Sequence, residues 1–241
     1  MKSSPIHIAA RLILLAMTSL TAIAQQQPTP RTTIFLDPAH GGPDTGAHLP
    51  NNLLEKDVTL AFATRLRAAL TSAGFTIIAT RDADPATTFT TDQRAEIGNH
   101  AHPSACIILH ATSSGSGIHV ITSALTPPSD PDDFHTVTPW DTAQSGSIPQ
   151  SLSLANDIGV ALQRAKLPAI LSRASLRPLD NLICPAVAIE IAPSVPADSD
   201  PTPITDPAYQ QSVAKALTAA LVSWRSHQAA AAAAGNAGAA K

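Results

Sequence analysis

The stretch Thr33-Ile-Phe-Leu-Asp37-Pro-Ala-His40-Gly-Gly42-Pro-Asp44-Thr-Gly46 decides the reading of this 241-residue chain. Ile34-Phe35-Leu36 is a short apolar run of the kind that forms a buried strand. It stops at Asp37-Pro38, and a Gly-rich turn follows. His40 therefore sits just past the end of a strand, where open α/β sheets place their chemistry. Three further residues occupy comparable positions: Glu55 opens the next predicted helix, and His110 and Glu190 end later predicted strands. Two histidines and two carboxylates at element ends suit a metal-dependent hydrolase.

Outward from that turn, strands and helices alternate. Residues 54–72 carry Val58, Phe62, Leu66 and Ala69 at helical spacing, and Gly74 stops the helix. Asn51 and Asn52 are the expected caps of that helix. Residues 75–80 form a β-branched strand, and residues 92–99 a short helix. His100 and His102 fall in an exposed loop beside Pro103. Residues 105–109 are continuously apolar, as in a central strand, and deliver His110. Residues 117–121 are a further strand on which His119 alternates with Ile118 and Val120; it is expected at the surface. Residues 122–150, rich in Pro, Ser, Thr and Asp, read as a long lid-type or surface loop. In it, Asp132, Asp133 and His135 are residue types that can reach a metal, and Trp140 suits stacking on a sugar. Residues 151–166 are helical, residues 186–191 form the last strand, and residues 209–224 a closing amphipathic helix with Val213, Leu217 and Leu221 inward. The Ala-rich residues 227–241 are expected to be disordered.

The order of these segments resembles the zinc-dependent N-acetylmuramoyl-L-alanine amidases (Amidase_3 type), which cut peptide stems from peptidoglycan. The stretch from Ile34 to Gly46 is similar to that family's first metal-ligand turn, and Glu55-Lys56-Asp57 to its second ligand segment. Gly74-Phe-Thr-Ile-Ile-Ala-Thr-Arg81 and Arg94-Ala-Glu-Ile-Gly-Asn99 resemble its next strand and helix. Ile107-Ile-Leu-His-Ala111 is similar to the third ligand strand, and Pro185-Ala-Val-Ala-Ile-Glu-Ile191 to the segment with the catalytic glutamate. The resemblance implies one Zn²⁺ on His40, Glu55 and His110, with Glu190 as the catalytic residue. It implies a peptidoglycan substrate and, in some relatives, an activator protein. The implied fold class is α/β: a single domain with a mixed, mostly parallel central sheet flanked by helices on both faces. Ala39 stands where the family usually has Gly, Thr112 near a usual Asn, and Ala192-Pro193 where Gly-Phe is usual.

Residue chemistry alone reaches an exported metal-dependent hydrolase. A three-ligand nitrogen and oxygen set leaves a coordination position for water, and Glu190 is placed to move protons. Glu96 and Asp44 are the fallback bases. Two other classes fit the same residues: a zinc peptidase acting on stem peptides, and a wall-binding or regulatory module that has lost turnover. The His-Glu-x-x-His signature of zincin peptidases is absent.

Composition bounds the rest. A net charge of −3 without a basic cluster argues against a nucleic-acid partner. Lys2 and Arg11, the apolar run from Leu12 to Leu20, and Ala22-Ile-Ala24 read as a signal peptide over residues 1–24. Export is expected, to the periplasm first, with secretion or cell-wall association as the alternatives, and with no stable membrane span after cleavage. Residues 25–31 are a polar lead-in, and residues 32–226 the catalytic domain. Cys106 and Cys184 lie in apolar runs and are read as buried thiols, with a bridge as the alternative.

Overall fold

The computed structural model describes residues 32–128, 138–195 and 200–239. The signal-peptide and lead-in readings, and Asp132, Asp133 and His135, lie outside the described residues. In chain order the elements are β1 (Thr33–Pro38), β2 (His48–Leu49), β3 (Leu53–Leu54), α1 (Glu55–Ser72), β4 (Thr76–Ala79), α2 (Thr91–His100), β5 (Ala105–Ala111), β6 (Ile118–Ser123), α3 (Ile148–Arg164), β7 (Ala169–Ala174), β8 (Ala186–Ile191) and α4 (Pro207–Ala239).

Six strands form one sheet in the order β4-β1-β5-β8-β6-β7. All neighbours are parallel except β6 and β8, which run antiparallel. The sheet is thus mixed and mostly parallel, with helices on both faces. The alternation of side chains sorts the core into two clusters. Ile34 and Leu36 of β1, Ile107 and Leu109 of β5, and Val187 and Ile189 of β8 face α1, α3 and α4. Phe35, Cys106, Ile108, Ala186 and Ala188 point the other way, onto Ala95 of α2 and onto Leu179 and Leu182 of a short 3₁₀ turn. The helical spacing read from the sequence holds: Val58, Phe62 and Leu66 are buried, with Leu70 rather than Ala69 completing the stripe.

Four local expectations are corrected. Asn51 and Asn52 do not cap α1. They turn the chain between β2 and β3 with φ of 62° and 58°, a left-handed conformation that Asn tolerates. The first amides of α1 instead donate to carbonyls of the preceding turn, Glu55 N–H to Ala47 and Lys56 N–H to Thr45. The α2 helix starts earlier than expected because Thr90 and Gln93 form a reciprocal capping box. The segment 122–150 is not loop throughout. It ends in a 3₁₀ stretch (Trp140–Ser147) whose buried Gln144 donates to the Cys184 carbonyl at 2.9 Å. The Ala-rich end continues α4 to Ala239. Ala has the highest helix propensity, and extending a helix already packed through Trp224 needs no new nucleus.

The fifth correction is covalent. Cys106 and Cys184 are both buried as expected, but they are joined in a disulfide across 78 residues of sequence. It staples the strand carrying His110 to the segment that enters the strand carrying Glu190. The chain-entropy relation gives about 4.5 kcal/mol for a loop of this length, and the contribution such bridges deliver is typically about 2–4 kcal/mol. Cys106→Ser with Cys184→Ser is expected to lose that much stability in a denaturant titration. An unchanged midpoint would show that the bridge carries none of it.

Among the described residues, no helix is long and apolar enough to cross a membrane.

Candidate metal centre and its neighbours

The ligand turn leaves β1 and folds back against the start of α1. Ala39, the position where a Gly is usual, keeps an ordinary φ and is pinned by its N–H donating to the Leu109 carbonyl at 3.0 Å. The left-handed residue is His40 itself, with φ 65°, followed by Gly41 and Gly42. The turn closes with Gly46, where a Cβ would meet the His40 ring at 2.6 Å and Glu55 Oε2 at 2.8 Å. Gly46 is therefore required both by its φ of +64° and by the space it leaves for the two side chains.

His40, Glu55 and His110 come together, each with one ligand atom within 4.8 Å of the others. His40 Nε2 lies 3.2 Å from Glu55 Oε2, and His110 Nδ1 lies 2.8 Å from Glu55 Oε1. Zinc bonds of about 2.0–2.2 Å in a tetrahedral site place ligand atoms about 3.4 Å apart, so the trio has the span and the donor chemistry to hold such an ion. The far side of each group is also held. His40 Nδ1 donates to Asp44 Oδ2 at 2.9 Å. Glu55 accepts from the Ala47 N–H at 2.9 Å and the Ala111 N–H at 3.2 Å. Outer partners of this kind orient metal-ligating side chains.

The Glu55 carboxyl has the charge a metal ligand needs. Burial alone would raise the Glu55 carboxyl, but hydrogen bonds from His110, His40 and Ala47 outweigh it and hold it well below the usual carboxylate range. The bond to Glu55 raises His40 above its ordinary value, opposed by burial and helped by Asp44.

Two buried arginines brace the turn from beneath. Arg81 Nε donates to the Pro38 carbonyl at 2.9 Å, and its Nη2 to the carbonyls of Ala39 (3.0 Å) and Lys56 (2.7 Å). Arg94 Nη1 pairs with the fully buried Asp37 at 2.6 Å, and its Nη2 donates to the His40 carbonyl at 2.7 Å. The run Gly74–Arg81 and the start of Arg94–Asn99 thus reach the ligand turn directly, a role that no pattern in those segments marks.

Glu190 lies beside this cluster. It is the Cα partner of His110 on the neighbouring parallel strand, one strand spacing of about 4.8 Å away, and paired residues share a face. On its other side it pairs with His119 of β6. His119 Nδ1 lies 2.7 Å from Glu190 Oε2, within hydrogen-bond distance. The expectation that His119 is a surface residue is overturned. It does face away from Ile118 and Val120, but both faces of this sheet are covered, so the opposite face is the one that carries the site. His100 and His102 are exposed, as expected, but His100 is the last residue of α2 rather than part of the loop. Glu96 is exposed on α2, and Asp44 is engaged with His40, so neither fallback base has the position of Glu190.

Comparison with known proteins matches these observations. A germination-specific N-acetylmuramoyl-L-alanine amidase of Bacillus subtilis is 55% identical over 51 residues, 21% of this chain; the aligned stretch spans 21%, about a fifth, of that relative's own length. The amidase Ami1 from Mycobacterium smegmatis shares the fold with a TM-score of 0.62 at 21% identity, over 80% of this chain and 96% of that one. The CwlD amidase from Clostridioides difficile, solved in complex with the GerS lipoprotein, shares it with a TM-score of 0.57 at 23% identity, over 81% of this chain and 99% of that one. The sequence model of the N-acetylmuramoyl-L-alanine amidase family, Amidase_3, matches residues 34–223 and so takes in β1, the ligand turn, His110 and Glu190. The chain belongs to that family.

Proposed function

We propose that this chain hydrolyses the amide between the lactyl group of N-acetylmuramic acid and the L-alanine of a peptidoglycan stem peptide. The observation that carries the reading is the row His110, Glu190, His119 across three adjacent strands, which sets a carboxylate beside the His40, Glu55 and His110 trio. We assign His40, Glu55 and His110 as ligands of one Zn²⁺ and Glu190 as the catalytic residue. Zinc bound there would polarise the scissile carbonyl and bring the pKa of a bound water to about 7.

The chain's own residues supply the proton movements. Glu55 stays anionic: it is assigned to the metal, and its two oxygens also accept from the Ala47 and Ala111 amides. Glu190 takes the proton of the attacking water as its oxygen bonds to the carbonyl carbon. It returns the proton to the alanine nitrogen as the carbon–nitrogen bond breaks. The products are a lactyl carboxylate and a free stem peptide. The two glutamates take different roles because their surroundings differ: the Glu55 side chain is 7% exposed, whereas the Glu190 side chain keeps 31% exposure.

His40→Ala and His110→Ala are each expected to lose most of the bound zinc, measured by elemental analysis of the purified chain. Full zinc in both variants would remove the ligand assignment. Mass spectrometry of muropeptides after incubation tests the bond cut. Free stem peptides support amidase action, cleaved stems a peptidase, and unchanged muropeptides a binding or regulatory module.

The disulfide supports export to an oxidising compartment, for which the periplasm is our assignment, because such bridges persist there. Peptidoglycan is the proposed partner. The CwlD complex with a lipoprotein makes an activator protein the second partner class we propose.

A further inference from the structure

The side chain of His119 has no part in the chemistry described above, yet it is bonded to the proposed base. We propose that His119 is the positioning residue of Glu190, fixing its carboxylate so that Oε2 is occupied and Oε1 is the oxygen that takes the proton. The inference rests on Glu190 being the base.

Three observations meet at this ring. His119 and Glu190 are Cα partners on antiparallel strands, so their side chains rise together from one face. Nδ1 and Oε2 are 2.7 Å apart, the short separation typical of a bond to a carboxylate. On the far side of the ring, Nε2 is buried and meets no hydrogen-bond partner. The tautomer follows. A proton on Nε2 would leave a buried N–H without an acceptor. A bare Nδ1 would set a lone pair against the carboxylate. With the proton on Nδ1, the ring donates one hydrogen bond and leaves only a weakly demanding lone pair buried.

The ring is also held in place. The loop after β5 passes over it at Gly115, where a Cβ would come within 3.0 Å of His119 Cε1 and 3.2 Å of Nε2. Gly115 has φ +77°, so the loop makes this close approach at a residue without a side chain. The His119 side chain is 20% exposed. Among the described residues Glu190 makes no other side-chain hydrogen bond, so without His119 nothing fixes its terminal torsions. A loose base is misplaced for most of its time, and misplacement of about 1 Å costs on the order of 10²-fold in rate.

The test uses the full zinc-loaded chain and muropeptides, with His119→Phe, His119→Gln and Glu190→Gln. His119→Phe keeps a ring and loses the donor. It is expected to lower kcat by about 10- to 100-fold, with KM, zinc content and melting temperature near their starting values. His119→Gln restores an N–H donor and is expected to recover most of that loss. A loss shared equally by Phe and Gln marks a packing role and overturns the proposal. Full kcat in His119→Phe, with Glu190→Gln inactive, overturns it and leaves Glu190 as the base. Normal turnover in Glu190→Gln removes the base assignment, and the proposal falls with it. Imidazole ¹⁵N resonances of the unsubstituted, metal-free chain give a readout independent of turnover and of mutant folding. Nδ1 protonated and Nε2 bare is the expected pattern, and the opposite tautomer overturns the proposal.

Discussion

Glu190→Gln is expected to reduce turnover by about 10²- to 10⁴-fold while the protein keeps its bound metal, the range that general acid–base help supplies. Gln has the shape of Glu, and its amide oxygen still accepts from His119 Nδ1, so the row across β5, β8 and β6 stays in place. What it loses is the ability to accept a proton from water and pass it to the leaving nitrogen. Glu55 cannot substitute. It is assigned to the metal, its oxygens also accept the amides of Ala47 and Ala111, and its carboxyl is held far below the usual range. Released stem peptide, followed by mass spectrometry beside zinc analysis, checks both halves of the expectation. Turnover near that of the unsubstituted chain would place the base elsewhere.

The fold was legible because its two periodicities are clean. Ile34–Leu36, residues 105–109 and residues 186–191 read as strands, and they form β1, β5 and β8, three adjacent interior strands of the sheet. The helices of the larger core cluster show their stripes in Val58–Phe62–Leu66, Leu154–Ile158–Leu162 and Val213–Leu217–Leu221. The trio His40, Glu55 and His110 was legible because each stands at an element end, a position that sequence can mark. His119 was not. Alternation tells which residues share a face, but not whether that face is solvent or a second covered layer, and here it is the latter. The arginine brace escaped notice for a related reason. Arg81 and Arg94 carry charge, and charge in a sequence reads as surface, yet both are buried by carbonyls of the ligand turn that only the folded backbone brings together. The disulfide depended on a register between two segments 78 residues apart, which no local pattern reports.

Removing the Arg94 head group should have the largest effect on stability. Asp37 is 0% exposed and the Arg94 side chain 5% exposed, and the two meet at 2.6 Å. Arg94→Leu leaves Asp37 with only the Thr80 hydroxyl, at 2.6 Å, as a hydrogen-bond donor, and leaves Arg81, which does not bond it, as the nearest compensating charge. Breaking a buried pair from one side costs about 3–5 kcal/mol, because a buried charge is left uncompensated. A urea titration is expected to show that loss as a lower midpoint with an unchanged slope. Adding Asp37→Asn removes the orphaned charge and should recover part of the loss, since replacing both members of a buried pair is far less costly than removing one. The metal should not follow. Arg94 also donates to the His40 carbonyl at 2.7 Å, and neither of the two introduced side chains, leucine or asparagine, replaces that bond. The double variant is therefore expected to regain stability while still holding zinc more weakly than the unsubstituted chain. If stability and zinc affinity recover together, Arg94 acts on the metal centre only through Asp37; if stability recovers alone, its bond to the His40 carbonyl is what holds the ligand turn in its left-handed bend.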